Sequence, residues 1–159
     1  KFLKLTNLQF EGVMRGLIQR VSEARVCVEN EVIGRVGFGL LLFVAFEKGD
    51  SALKLLPFLE KVTRYRIFSD EKGLMNKSLL DVSGDLLIVS QFTLAADTKK
   101  GLRPSFSSGL PGEEAKKLYD ELVRHARKNY DIKIEQGRFG SEMDVSLINA
   151  GPVTFILDL

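Results

Sequence analysis

Three hydrogen-bonding side chains surround one aromatic ring in Ser90-Gln91-Phe92-Thr93-Leu94, directly after the apolar run Leu86-Leu87-Ile88-Val89. Strand ends are where a scaffold presents a site, and such a group can donate hydrogen bonds to a carbonyl oxygen as charge builds there, with Phe92 shaping an apolar wall. The same residues also suit an edge strand whose Ser90 and Thr93 satisfy neighbouring backbone groups. The only histidine, His125, lies far along the chain, so neither hydroxyl has an obvious base, which counts against a simple acyl-enzyme mechanism. A second stretch, Asn149-Ala150-Gly151-Pro152-Val153-Thr154, sits between two apolar segments and reads as a turn. A glycine before proline leaves main-chain carbonyls uncovered by side chains and able to face a ligand. Most Xaa-Pro bonds are trans, so spacing alone gives no reason for a cis peptide here.

Two further groups can meet a nucleic acid. In Gly137-Arg138-Phe139-Gly140, followed by Met143, a base can stack on Phe139 while Arg138 meets a phosphate; a hairpin loop with Phe139 and Met143 in the core is the plainer alternative. The loop Lys99-Lys100-Gly101-Leu102-Arg103 can neutralise a phosphate backbone or simply be solvated. Other chemistries are poorly served. One cysteine, Cys27, excludes an internal disulfide framework and a multi-cysteine zinc site, and one histidine excludes a three-histidine metal site within the chain. Asp81 and Asp85 are two scattered carboxylates, more typical of solvated turns than of a metal site, and no metal or cofactor is expected. No Gly-x-x-x-x-Gly-Lys-Ser/Thr occurs, and Gly34, Gly37 and Gly39 lack the strand-to-helix setting of a dinucleotide fingerprint.

The elements that must position these residues follow from periodicity. Leu17–Val21, Arg25–Val28 and Val32–Val36 alternate as strands, the last two around an Asn30 turn, and Leu40–Phe46 has the length of a buried strand. A helix capped by Asp50 or Ser51 runs to about Tyr65, with Pro57 either kinking it or marking its first turn. Ile67-Phe68 leads into the turn Asp70–Gly73, and Asp85–Phe92 reads as a core strand. Breakers Gly101, Pro104 and Gly109 make Ala95–Pro111 a long surface loop. Ala115, Leu118, Tyr119, Leu122, Val123 and Ala126 form one apolar face of a helix over Gly112–Tyr130. Lys133–Gln136, Met143–Ile148 and Val153–Leu157 complete the strands. With strands grouped at both ends and no regular βαβ alternation, the expectation is an α+β fold, β-rich, with mainly antiparallel barrel-like sheets and two helices.

The chain of 159 residues, 45% hydrophobic and 28% charged, suits one packed domain. Its 23 basic and 21 acidic residues leave a net charge of only +2, so a nucleic-acid contact must be a local patch. No stretch approaches the roughly 20 apolar residues that cross a bilayer. Residues 1–13 read as a leader or expression-derived segment, with Met14 opening a single domain over 14–159.

Taken together and in order, these stretches resemble the D-aminoacyl-tRNA deacylase family. The likeness covers Met14 to Leu159 and rests on Met14-Arg15-Gly16-Leu17-Ile18-Gln19-Arg20-Val21, Glu47-Lys48-Gly49-Asp50, Arg66-Ile67-Phe68, Met75-Asn76, Ser90–Leu94, Lys100–Phe106, Gly137–Gly140 and Asn149–Thr154. Each alone is weak; their joint occurrence is highly specific. The resemblance implies a cytoplasmic homodimer that hydrolyses D-aminoacyl-tRNA, with the active site at the subunit interface and neither membrane nor DNA as partner. Ser90, Gln91, Phe92 and Thr93 would line the aminoacyl pocket. Gly151 and Pro152 would form a Gly-cisPro element inserted from the partner, whose carbonyls hold the substrate amino group and reject L side chains. Glycyl-tRNA would pass that filter. Arg20 would orient the element, Phe139 and Met143 would contact the terminal adenosine, and Asn149 falls among the substrate-binding residues. The ribose 2′-hydroxyl would assist, leaving Thr93 to bind and position. The competing readings are a non-catalytic tRNA-binding module and a metal-assisted hydrolase of other esters or amides.

Overall fold

A computed structural model describes residues 12–159. The leader expected at residues 1–13 therefore lies almost wholly outside the described residues. Met14 is fully buried and exchanges two backbone hydrogen bonds of 3.0 Å with Leu159.

One strand organises the sheet. β1 (Arg15–Val28) is 14 residues long and turns through Glu29 and Asn30, both at positive φ, into β2 (Glu31–Val36). Two consecutive residues at positive φ make the tight hairpin turn whose twist matches that of the strands it joins. After a corner at Gly37–Phe38, β3 (Gly39–Ala45) continues along the same edge of β1. Gly39 is required at that corner, because a Cβ there would meet the Asp85 carbonyl oxygen at 1.9 Å. A 3₁₀ turn (Ala52–Lys54) leads into α1 (Leu55–Arg64), which carries Pro57 in its first turn, where a missing N–H costs nothing. A small hairpin of β4 (Phe68–Ser69) and β5 (Met75–Lys77) precedes β6 (Asp85–Ser90). A second 3₁₀ turn (Phe92–Ala95), a long loop, α2 (Gly112–Asn129), β7 (Ile134–Gln136) and β8 (Asp144–Asp158) complete the chain.

The six-stranded sheet has the order β2-β1-β3-β6-β7, and β8 pairs with the free edge of β1. The expected β-rich α+β architecture with two helices is present. β3, β6 and β7 nevertheless run parallel, because α1 and α2 each lie in a crossover between neighbouring strands. Side chains alternate between two apolar layers: Leu40, Leu42, Leu86 and Ile88 face the helices, whereas Leu41, Leu87 and Val89 face inward with Val21, Ala24 and Val26. The sheet curls until β2 nears β7, where a Cβ on Gly34 would lie 2.9 Å from the Gln136 carbonyl oxygen.

Two expectations require correction. Leu17–Val21 and Arg25–Val28 are halves of one strand; a bulge between Val21 and Glu23 shifts the register, so that Val21 and Ala24, three apart, reach the same layer. Likewise Met143–Ile148 and Val153–Leu157 are not strands joined by a turn. Both halves of β8 run antiparallel along the same β1, Asn149 opposite Val21 and Thr154 opposite Gln19, so the intervening residues bulge out of one continuous strand.

Candidate functional site

β6 ends at Ser90, opposite Val44, and the Gln91 amide still reaches the Val44 carbonyl at 2.8 Å. The chain then turns into the 3₁₀ segment, so Phe92 starts that turn instead of extending the strand as expected. Gln91 Nε2 donates to Thr93 Oγ1 at 2.6 Å. With its oxygen accepting this bond, the Thr93 hydroxyl is left to donate outward. Phe92 is 67% exposed, and its ring packs on Phe106 with centroids 5.2 Å apart. An apolar cavity of about 440 Å³ opens here, lined by Ser90, Gln91, Phe92, Phe106 and Phe139 among others. A neighbouring cavity of about 330 Å³ shares Ser90, Gln91, Phe92 and Gly140 and adds Met143.

Phe139 and Met143 thus meet the Ser90–Phe92 group from two sides of Gly140. Phe139 is half-buried against Tyr119, with ring centroids 5.8 Å apart. Tyr119 is fully buried, and its hydroxyl donates toward the carbonyls of Ile88 at 2.8 Å and Gly137 at 3.2 Å, tying α2 to β6 and to the segment after β7. Burial pushes the Tyr119 phenol well above its usual range, so it stays a neutral donor. Gly137 leaves room for Met143, whose sulfur would lie 2.8 Å from a Cβ at that position.

A second constellation forms where β8 bulges. The Gly151–Pro152 peptide bond is cis, and both residues are exposed. Arg20 Nε donates to the Ala150 carbonyl at 2.9 Å and Arg20 Nη1 to the Ile67 carbonyl at 2.8 Å. Asn149 Nδ2 donates to the carbonyls of Val153 at 3.0 Å and Arg20 at 3.3 Å. The two constellations are far apart within one chain. Ser90 pairs with Val44 and Val44 with Gly16, whereas the bulge lies across from Arg20 on the far edge of β1. At about 4.8 Å per strand and about 3.4 Å per residue, some 20 Å of sheet separates them.

Sequence reasoning assigned no site role to Phe106, which closes the Lys100–Phe106 stretch, or to Tyr119 on the apolar face of α2, and gave no signal for the Ile67 carbonyl. His125 lines neither cavity; its carbonyl accepts the Asn129 side-chain amide. Lys99, Lys100 and Arg103 are exposed on the long loop. Asp85 accepts the Gly37 amide, and Asp81 accepts the Ser78 amide and hydroxyl, which hold its carboxyl below the usual range. Among the described residues no group of three or more His, Cys, Asp or Glu side chains could hold a metal, and no helix is long and apolar enough to cross a membrane.

Residues 17–158 match the family model described as D-Tyr-tRNA(Tyr) deacylase. The chain belongs to that family. It is 54% identical over 146 residues to a D-aminoacyl-tRNA deacylase of Ectopseudomonas mendocina, covering 92% of this chain and all of the relative. It is 52% identical over 145 residues to that of Thermosipho africanus, with 91% and 97% coverage. Among solved structures, a c-Myc DNA Unwinding Element Binding Protein superposes with a TM-score of 0.86 at 36% identity, over 91% of this chain and 97% of that one. A probable eukaryotic D-amino acid tRNA deacylase shares the fold, with a TM-score of 0.77 at 21% identity over 92% and 100% of the two chains.

In this deacylase-family chain the Tyr119 hydroxyl is the buried link from α2 to β6 and to the segment after β7. Tyr119→Phe removes a donor from two buried carbonyls and is expected to lower stability by about 1–2 kcal/mol. Urea unfolding measures this directly, and an unchanged midpoint would contradict the assigned link.

Proposed function

We propose that the protein hydrolyses the ester bond of D-aminoacyl-tRNA, releasing free D-amino acid and tRNA, in a homodimer whose active site lies at the subunit interface. The observation that carries this reading is the division of the site: the apolar cavity at Ser90–Phe92 and the exposed Gly151–Pro152 main chain lie some 20 Å of sheet apart in one chain. A two-fold dimer, in which each patch meets its counterpart on the other copy, brings one protomer's pocket to the partner's carbonyls. The outer faces of β8 and β1 support such a contact, since Ile156, opposite Leu17, is 65% exposed and Ile148 is 55% exposed.

The chemistry follows from these groups. An aminoacyl ester is already activated, so hydrolysis needs position and donors for the developing oxyanion more than a strong protein base. Gln91 supplies a donor, Thr93 binds and positions the ester, Phe92 and Phe106 form the apolar wall, and the ribose 2′-hydroxyl assists the proton movements. Phe139 and Met143 take the terminal adenosine, and Asn149 and Arg20 shape the Gly151–Pro152 element. Once the substrate's amino group is held by main-chain carbonyls and its ester by the pocket, only two directions remain on the α-carbon. A D residue sends its side chain outward and its hydrogen toward the Gly151–Pro152 main chain. An L residue would send its side chain into that main chain and is rejected sterically. Glycine has hydrogen in both directions and is accepted. Such a proofreading role in translation places the protein in the cytoplasm, with RNA as its nucleic acid.

The test compares D-tyrosyl-tRNA with L-tyrosyl-tRNA in the presence of chelator. The expected outcome is rapid loss of the D ester alone, unaffected by chelator or by excess DNA duplex. Survival of both esters with tRNA still bound would replace this reading by a non-catalytic tRNA-binding module, and dependence on an added divalent ion would indicate metal-assisted hydrolysis. Thr93→Ala is expected to keep the D activity within about tenfold, the loss of one neutral substrate-positioning hydrogen bond. A trapped acyl-Thr93 ester would overturn that role.

A further inference from the structure

We infer that Asn149 is the positioning residue of the Gly151–Pro152 element, and that position 151 is glycine because the Asn149 carboxamide already occupies the place of a side chain there. This rests on the function proposed above, in which the element's carbonyls hold the substrate amino group. The family resemblance places Asn149 among the substrate-binding residues; the geometry points to a different task.

The Asn149 amide nitrogen is engaged by protein. It donates to the Val153 carbonyl, beyond the bulge on its own strand, and to the Arg20 carbonyl, across on β1. It therefore ties both shoulders of the bulge together from one side, while the Arg20 guanidinium holds the Ala150 carbonyl from the other. The buried Val153 side chain anchors the exit of the bulge in the core. The Asn149 carboxamide oxygen lies 2.1 Å, and its Cγ 3.2 Å, from where a Cβ on Gly151 would stand. Even alanine at 151 forces the carboxamide to shift from the place where it bonds Val153. The side chain is suited to this by size and polarity. Aspartate would set a carboxylate against two carbonyls without a proton to donate, and glutamine would carry the amide one methylene too far.

A rival explanation is that position 151 must be glycine because substrate packs against it. The two differ in how the positions interact. The measurement is a double-mutant cycle on the full-length dimer, with wild type, Asn149→Ala, Gly151→Ala and the double variant, reading D- and L-tyrosyl-tRNA hydrolysis and Tm. In the wild-type background Gly151→Ala is expected to slow D hydrolysis at least about tenfold, but less than about twofold when Asn149 is already alanine. Asn149→Ala, and the isosteric Asn149→Asp, are expected to raise the ratio of L to D hydrolysis at least about threefold, which a purely structural role would not do. An equal penalty for Gly151→Ala in both backgrounds, or an unchanged L to D ratio in Asn149→Ala, would overturn the inference. Should the wild type cleave neither ester, the deacylase reading fails and the Tm cycle still decides the interlock: non-additive losses support it, additive losses overturn it.

Discussion

The pairing of β8 with β1 is the constraint on which the rest depends. Along this edge fourteen- and fifteen-residue strands run antiparallel, and they remain paired on both sides of Asn149–Val153. Because the ladder is in register at Val21 with Asn149 and at Gln19 with Thr154, the intervening residues of β8 have nowhere to go but outward. The Gly151–Pro152 main chain is thus presented on a rigid sheet edge rather than on a free loop. Arg20, on the strand opposite, and Asn149, at the base of the bulge, use side-chain donors on carbonyls that the broken ladder would leave unpaired.

The same strand distributes the other half of the site. β1 carries β3, β3 carries β6, and β6 ends in Ser90 beside the cavity, so pocket and bulge are built on one sheet yet held apart by it. That separation within one chain is the reason for proposing a second copy. The proposed selectivity by main chain needs few ionisable groups. Neither cavity against Ser90, Gln91 and Phe92 is lined by His125, and the carboxylates Asp81 and Asp85 are spent on turns.

Much of this was legible in the residues, where the information is local. The apolar face of α2, the hairpin turn at Asn30, the buried β3 and the position of Ser90–Thr93 at a strand end each depend on neighbours within a few residues, and each is present. What was not legible depends on distant partners. Gly151-Pro152 reads as a reverse turn, and only the pairing of both flanks with β1 makes it a bulge. The parallel pairing of β3, β6 and β7 is set by where the helices pack, not by strand composition. Phe106 against Phe92, and Asn149 against the Arg20 carbonyl, join residues with no shared sequence pattern. Even the family likeness, which names residues for the site, does not say that Asn149 faces the protein's own backbone.

The most direct test of a site assembled from two copies is complementation between inactive variants. Phe92→Arg fills the pocket of one chain, and Gly151→Ala disrupts the carbonyl element of another. After subunit exchange about half of the dimers are mixed, and each mixed dimer holds one intact site and one doubly damaged one, so activity is expected to return to about a quarter of wild type. Mixed dimers that form, as shown by co-purification of two tags, and yet recover no D-specific hydrolysis would contradict the account.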